Sequence, residues 1–203
     1  MNNWNKLVDK KIVEETIENL KSRGIDSFFV ETAIDAKEKV LELLPKDSKV
    51  LVGQSQTLNE IGITDEIENS DKYISVRKEY TGLDRQKDAD KIRILRSTPD
   101  IILGSVHAVT ESGEILIASN TGSQLASYVS GAGKVIWVIG LQKIVENLDS
   151  GFKRVYEYVL PLESERLKKL YGVGSNVSKL LIYNKEVVPG RVTIIFVNQS
   201  LGF

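Results

Sequence analysis

Apolar and polar positions change period several times along the chain. In the first 24 residues Leu7, Val8, Ile12, Val13, Ile17 and Leu20 recur at helical spacing, and Gly24 is placed to end the helix. "SFFVET" (27–32) follows as a short strand, and "DAKEKVLELLP" (35–45) as a helix closed by Pro45. "KVLVGQS" (49–55) reads as a buried strand running into a Gly-containing turn, with "QTLNEIGI" helical beyond it. Short strands alternating with helices predict an α/β fold whose central sheet is mostly parallel and flanked by helices.

"KYISV" (72–76) is a further strand candidate, and "LDRQKDADKIRILRST" (83–98) a helix with Ile92 and Leu95 on its apolar face. The texture then changes. From Pro99 to Leu141 only Asp100, Glu111, Glu114 and Lys134 are charged. Three apolar runs fall here: "IILGS" (101–105), "ILIAS" (115–119) and "KVIWVIG" (134–140). Runs without alternation suit strands covered on both faces, so these three are expected at the centre of the sheet. Residues 141–171 are predicted helical, from "LQKIVENL" through "ESERLKKLYG". "KLLIY" and "RVTIIFV" close the chain as strands, with Pro189-Gly190 as the turn signal between them. The expected organisation is a helix over residues 1–24 packed on a single α/β domain over 25–203.

Composition narrows the function classes. With 41% hydrophobic and 27% charged residues in 203, the chain has the make-up of an ordinary globular protein able to bury a sizeable core. A net charge of −1 points to neither nucleic acid nor a membrane surface. Between Arg77 and Arg96 seven Lys/Arg face four Asp/Glu, the balance of a solvated helix face. The absence of cysteine removes disulfides, thiolate catalysis and cysteine-ligated iron–sulfur or zinc from this chain. The first 24 residues are too charged for a signal peptide's apolar core, and no apolar run is long enough to span a bilayer. A cytoplasmic location is the expectation.

Ligands of open α/β sheets sit outside the carboxyl ends of the strands, and three loops occupy such positions. Gly53, Gln54 and Ser55 follow "KVLV"; Gly104 opens "GSVHAVTESG"; Asn120, Thr121, Gly122 and Ser123 follow "ILIAS". In the last loop Asn120, Thr121 or Ser123 is expected to cap a helix through "SQLASYVSG", with Gly122 letting an anion approach its free N–H groups. Glu111, in the turn completed by Ser112 and Gly113, is a candidate nucleophile or general base, or equally an exposed turn residue. His107, the only histidine, is a candidate acid/base group or a hydrogen-bonded strand end. With no cysteine and no second histidine, metal binding is not expected. Walker, G-x-G-x-x-G and nucleophile-elbow signatures are missing.

The order "ILGSVHAVTESGEILIASNTGSQLASYV" (102–129), then "KVIWVIGLQKIVENL" (134–148), resembles the LUD (lactate utilisation) domain family, of the NagB/RpiA/CoA-transferase-like fold group. "GVGSN" (172–176) corresponds to the family's later G-P-S loop and brings in Gly174 and Ser175 as ligand contacts, although the proline is missing. The resemblance implies a role in lactate and organic-acid oxidation, through a small anionic metabolite or through iron–sulfur or flavin-containing redox partners. Relatives that bind iron–sulfur clusters carry a cysteine-rich region, so this chain resembles the short branch without a cofactor. Glu111-Ser112-Gly113 is also similar to the E-N-G-like turn of CoA-transferases. Three readings stand: a LUD-type accessory protein, an acyl- or CoA-transfer enzyme or hydrolase with Glu111 as nucleophile, and a metabolite-sensing module without turnover. For the second, the Gly113 and Gly122 backbone N–H groups are the candidate oxyanion donors.

Overall fold

The computed structural model describes residues 4–203. Its strands are β1 (Asp26–Val30), β2 (Lys49–Val52), β3 (Ile74–Ser75), β4 (Ile101–Gly104), β5 (Ala108–Thr110), β6 (Ile115–Ser119), β7 (Lys134–Gly140), β8 (Ile144–Val145), β9 (Lys179–Tyr183) and β10 (Val192–Val197). Helix α1 (Lys10–Ser22) precedes them, and α2 (Ala33–Glu42), α3 (Gln56–Glu60), α4 (Ile63–Asn69), α5 (Val76–Tyr80), α6 (Ala89–Ser97), α7 (Leu148–Lys153) and α8 (Leu160–Tyr171) lie between them. A six-stranded sheet in the order β1-β10-β7-β4-β2-β3 is parallel at every pairing. This is the mostly parallel, helix-flanked sheet that the strand–helix alternation predicts.

Its strands read as continuous apolar runs because alternate residues enter different cores. Along β7, Val135, Trp137 and Ile139 point into one core, while Ile136 and Val138 point into the other. The second core is closed by α2, α3 and α4 through Ala36, Val40, Leu58, Ile63 and Ile67. The first is closed by α1, through Val13 and Leu20, and by a second sheet.

That second sheet departs from expectation. Four strands in the order β8-β5-β6-β9 form it, with β6 antiparallel to β5 and β9, and β5 parallel to β8. "ILIAS" therefore does not lie at the centre of the main sheet with β4 and β7. It is covered on both faces all the same: Ile115 and Ile117 face the first core, and Leu116 faces a third with Ala108, Val145, Leu148 and Phe152. Composition alone cannot separate a strand inside a parallel sheet from one in a sheet stacked upon it. The segment after β7 is also not the helix that its pattern suggested. Leu141–Lys143 forms a single 3₁₀ turn and Ile144–Val145 is β8, so helix resumes only at α7.

Close approach fixes one glycine at the junction of the layers. Trp137 is gripped edge-on by Tyr128 and Tyr183, with ring centroids 5.3 and 5.5 Å away. The Tyr128 hydroxyl fills the place where a Cβ on Gly104 would stand. Gly104→Ala is expected to destabilise the fold by about 1–3 kcal/mol through overpacking. Tyr128→Phe in the same chain should recover part of that loss, read as the shift in the urea midpoint.

Candidate functional site

Because the six strands run parallel, the residues following β2, β4, β7 and β10 gather at one end of the sheet. A buried polar cluster lies there. The 3₁₀ turn after β7 buries Leu141, Gln142 and Lys143 together, and Lys143 is 3% exposed. Its Nζ donates to Thr57 Oγ1 of α3 at 2.9 Å and to Ser105 Oγ, just after β4, at 3.1 Å. The segment after β10 closes the cluster from above. The Leu201 carbonyl accepts from Thr57 Oγ1 (3.2 Å) and Gln142 Nε2 (2.8 Å), and the Gly202 N–H donates to Glu60 Oε2 (2.8 Å).

Beside it lies Arg154, 0% exposed. Its Nη1 donates to the His107 carbonyl at 2.9 Å and its Nε to the Gln142 carbonyl at 3.4 Å, while its buried Nη2 has no hydrogen-bond partner among the described residues. The guanidinium also lies 5.2 Å from the centre of the Tyr158 ring. Among the described residues, neither Lys143 nor Arg154 has a carboxylate within ion-pair distance. Arg191 shows the ordinary arrangement: it is also buried, and Glu186 lies 2.7 Å from its Nη1.

Electrostatics follows from that imbalance. Burial, then the charge of Arg154, lowers the Lys143 amine from 10.5 to about 7, with Glu60 pulling weakly the other way. Burial also lowers Arg154 to about 10, so it stays charged at neutral pH. His107 is held down to about 3 by burial first, then by the charges of Lys143 and Arg154. Its imidazole is therefore neutral. Nδ1 accepts from the Ala118 N–H at 3.1 Å, which leaves the remaining ring proton on Nε2.

The chain matches the LUD domain family over residues 13–197. It belongs to that family. Among solved structures it is similar to a DUF162 family protein from Deinococcus radiodurans, at 15% identity and a TM-score of 0.56, over 95% of this chain and all of that one. That likeness is one of fold. None of the curated proteins matches the chain.

The LUD domain brings some of the sequence-predicted residues together and separates others. Gly53, Gln54, Ser55 and Gly104 stand with Lys143 at the carboxyl end of the main sheet. Gly53 N–H donates to the Leu103 carbonyl at 2.9 Å, and Ser55 Oγ caps α3 by accepting from Leu58 N–H at 3.4 Å. His107, at the start of β5, reaches the cluster through its carbonyl. Glu111 lies at the other end of the β5–β6 hairpin, where its backbone bonds Val145 and Asn19 and, among the described residues, no partner holds its carboxylate. The held carboxylate of that turn is Glu114, which takes Ser112 Oγ (2.6 Å), Thr110 Oγ1 and the Arg23 guanidinium (2.5 Å). Burial pushes the Glu114 carboxyl up, but these hydrogen bonds, its own backbone N–H and the Arg23 charge bring it down to about 2. Gly113 (φ +94°) packs on Arg23 of the α1 C-terminus.

The loop after β6 also differs from expectation. Residues 125–131 are helical as expected, the last five as the π-helical turn Ser127–Gly131, but none of Asn120, Thr121 and Ser123 caps them. Asn120 accepts instead from Ser178 (3.0 Å), Thr121 Oγ1 from Ser123 N–H (3.4 Å), and Ser123 donates to Gln124 (3.3 Å). Both backbone donors proposed for an oxyanion are committed, Gly113 N–H to the Thr110 carbonyl and Gly122 N–H to Ser119 Oγ, each at 2.9 Å. Gly174 and Ser175 pack on Ser164 of α8, with Ser175 N–H donating to its Oγ at 3.1 Å. Among the described residues no three His, Asp or Glu side chains cluster as a metal site, and no helix is long and apolar enough to cross a membrane.

Sequence reasoning missed Lys143 and Arg154 because both fell in the stretch read as helix, where basic residues usually face solvent. One signal was present. Lys143 is the only charge between Lys134 and Glu146, inside an apolar run.

The pH dependence of folding should report two of these groups. Unfolded His107 titrates near 6.5 and the folded group near 3, so the unfolded chain binds the extra proton between those values. Stability should therefore fall as pH drops from 6.5, and His107→Gln should flatten the fall; Glu114 contributes only below 4.5. Lys143, about 7 folded against 10.5, makes stability rise with pH between those values, a slope that Lys143→Met should remove. Urea midpoints across pH 5–10 check both.

Proposed function

We propose that this LUD domain protein serves lactate and organic-acid utilisation by binding a small carboxylate at the Lys143–Arg154 cluster. The observation that carries the reading is the pair of buried cations without a carboxylate partner, at the end of a parallel sheet where ligands bind. A buried charge left unpaired is costly, and an arriving anion offsets that cost while completing the empty Arg154 Nη2. The Ser105 and Thr57 hydroxyls and the His107 carbonyl are the neutral groups around it. The family supports the metabolic setting. We further propose a cytoplasmic location and hand-over of the acid to or from a flavin- or iron–sulfur-containing redox protein, the kind of partner that the family resemblance implies.

The acyl-transfer reading based on Glu111 is less well supported. Its carboxylate stands at the far end of the hairpin from the buried cations, and the two candidate oxyanion donors are already bonded. Lactate, pyruvate and longer organic acids in excess should stabilise the protein against heat, by about 2.7 kcal/mol at a hundred times the dissociation constant. Arg154→Met should abolish that ligand-dependent shift, whereas Glu111→Gln should leave it unchanged. A shift that survives Arg154→Met would sink the reading.

A further inference from the structure

Three observations bear on Lys143 beyond its charge. Two of the three free tetrahedral positions of its nitrogen are directed to hydroxyls, Thr57 at 2.9 Å and Ser105 at 3.1 Å. The third position is a proton in the ammonium form and a lone pair in the amine. Arg154, the neighbouring cation, keeps one buried nitrogen without a hydrogen-bond partner among the described residues. Finally, Gly202 lies against the lysine and is bonded to Glu60, which lines an open groove of about 480 Å³. The Cβ that Gly202 lacks would stand 3.4 Å from Lys143 Nζ, and its N–H is held by Glu60, which lines the groove with Ile34, Lys37, Leu41 and Ile61. On this side the lysine is covered by the segment after β10, in which Leu201 packs into the second core and Gly202 is held by Glu60.

We propose that Lys143 is an amine nucleophile that condenses with the carbonyl of an oxo acid whose carboxylate is held by Arg154. The inference rests on the carboxylate-binding reading and adds the chemistry of the second functional group. The Nζ lone pair adds to the carbonyl carbon, giving a carbinolamine. The carbonyl oxygen then leaves as water, carrying away the two amine protons, and a C=N bond replaces the C=O bond. No oxidant or reductant is required. Ser105 and Thr57, hydroxyls already bonded to the nitrogen, are placed to relay the protons. The groups that face the amine decide its pH response: Arg154 lowers it, Glu60 raises it, and His107 is neutral. A fraction of the amine is then free at neutral pH, while exposed lysines stay protonated to about pH 10.

The test is borohydride trapping with pyruvate and with glyoxylate, followed by peptide mapping, alongside thermal shifts with the same acids and with lactate. The expected result is one reduced adduct, on Lys143, formed faster as pH rises through about 7 and absent in Lys143→Met. Lactate, which has no carbonyl, should protect Lys143. Arg154→Lys should slow trapping about tenfold, as a bidentate charge-assisted contact is lost. Adducts scattered over surface lysines with Lys143 unmodified would overturn the proposal. Thermal stabilisation by pyruvate without any adduct would overturn the covalent step and leave carboxylate binding standing. Neither stabilisation nor adduct would remove both. A folded Lys143→Arg variant that is stabilised by pyruvate yet never trapped would separate loss of the nucleophile from loss of the fold.

Discussion

Every feature of this LUD domain depends on a six-stranded parallel sheet that must be covered on both faces. Its strands carry apolar side chains to either side, and Trp137, Ile139, Ile194 and Phe196 on one face need as much cover as Ile136, Val138, Ile195 and Val197 on the other. Helices suffice for the second set. The first is met by α1 together with a second sheet, which then has an outer face of its own for α7 to close. The turn after β7 is consequently formed inside the protein, between the end of one sheet and the start of the other. A lysine in that turn is buried at the junction of the two sheets.

The hairpin β5–β6 illustrates the same constraint at its two ends. At its turn, Glu114 and Arg23 fasten it to the C-terminal end of α1, and Gly113 lets the two approach closely. At its base, His107 and Ala118 are tied to each other and, through the His107 carbonyl, to Arg154. The motif that resembles the family, residues 102–129, is therefore in large part a fastening of layers. Its chemistry is concentrated at the base, next to the main sheet.

Much of the fold was legible in the sequence because amphipathic period and glycine or proline punctuation are local signals. Ile12 to Leu20 and the run 134–140 say what they form without reference to the rest of the chain, although the helix starts only at Lys10 and leaves Leu7 and Val8 ahead of it. What was not legible depends on which sheet a strand joins. "ILIAS" looks the same in either sheet, and "LQKIV" looks helical until β5 supplies a partner for β8. The candidate site was legible in its location and misread in its members. Loops after β2 and β4 were found by the general rule for parallel sheets, whereas Lys143 and Arg154 were hidden because a single basic residue carries no periodic signal. Glu111 drew attention by its neighbours in sequence, yet Glu114, three residues on, is the one engaged.

A pair of like charges buried without a counter-ion has a consequence for the life of the protein in a cell. On the proposed reading, the empty protein stands below its full stability and its ligand acts as a missing piece of its interior. Quality control acts on the small unfolded fraction, so steady-state abundance would follow the concentration of the acid, with no change in synthesis. The supply of metabolite would then set how much of its own binding protein survives.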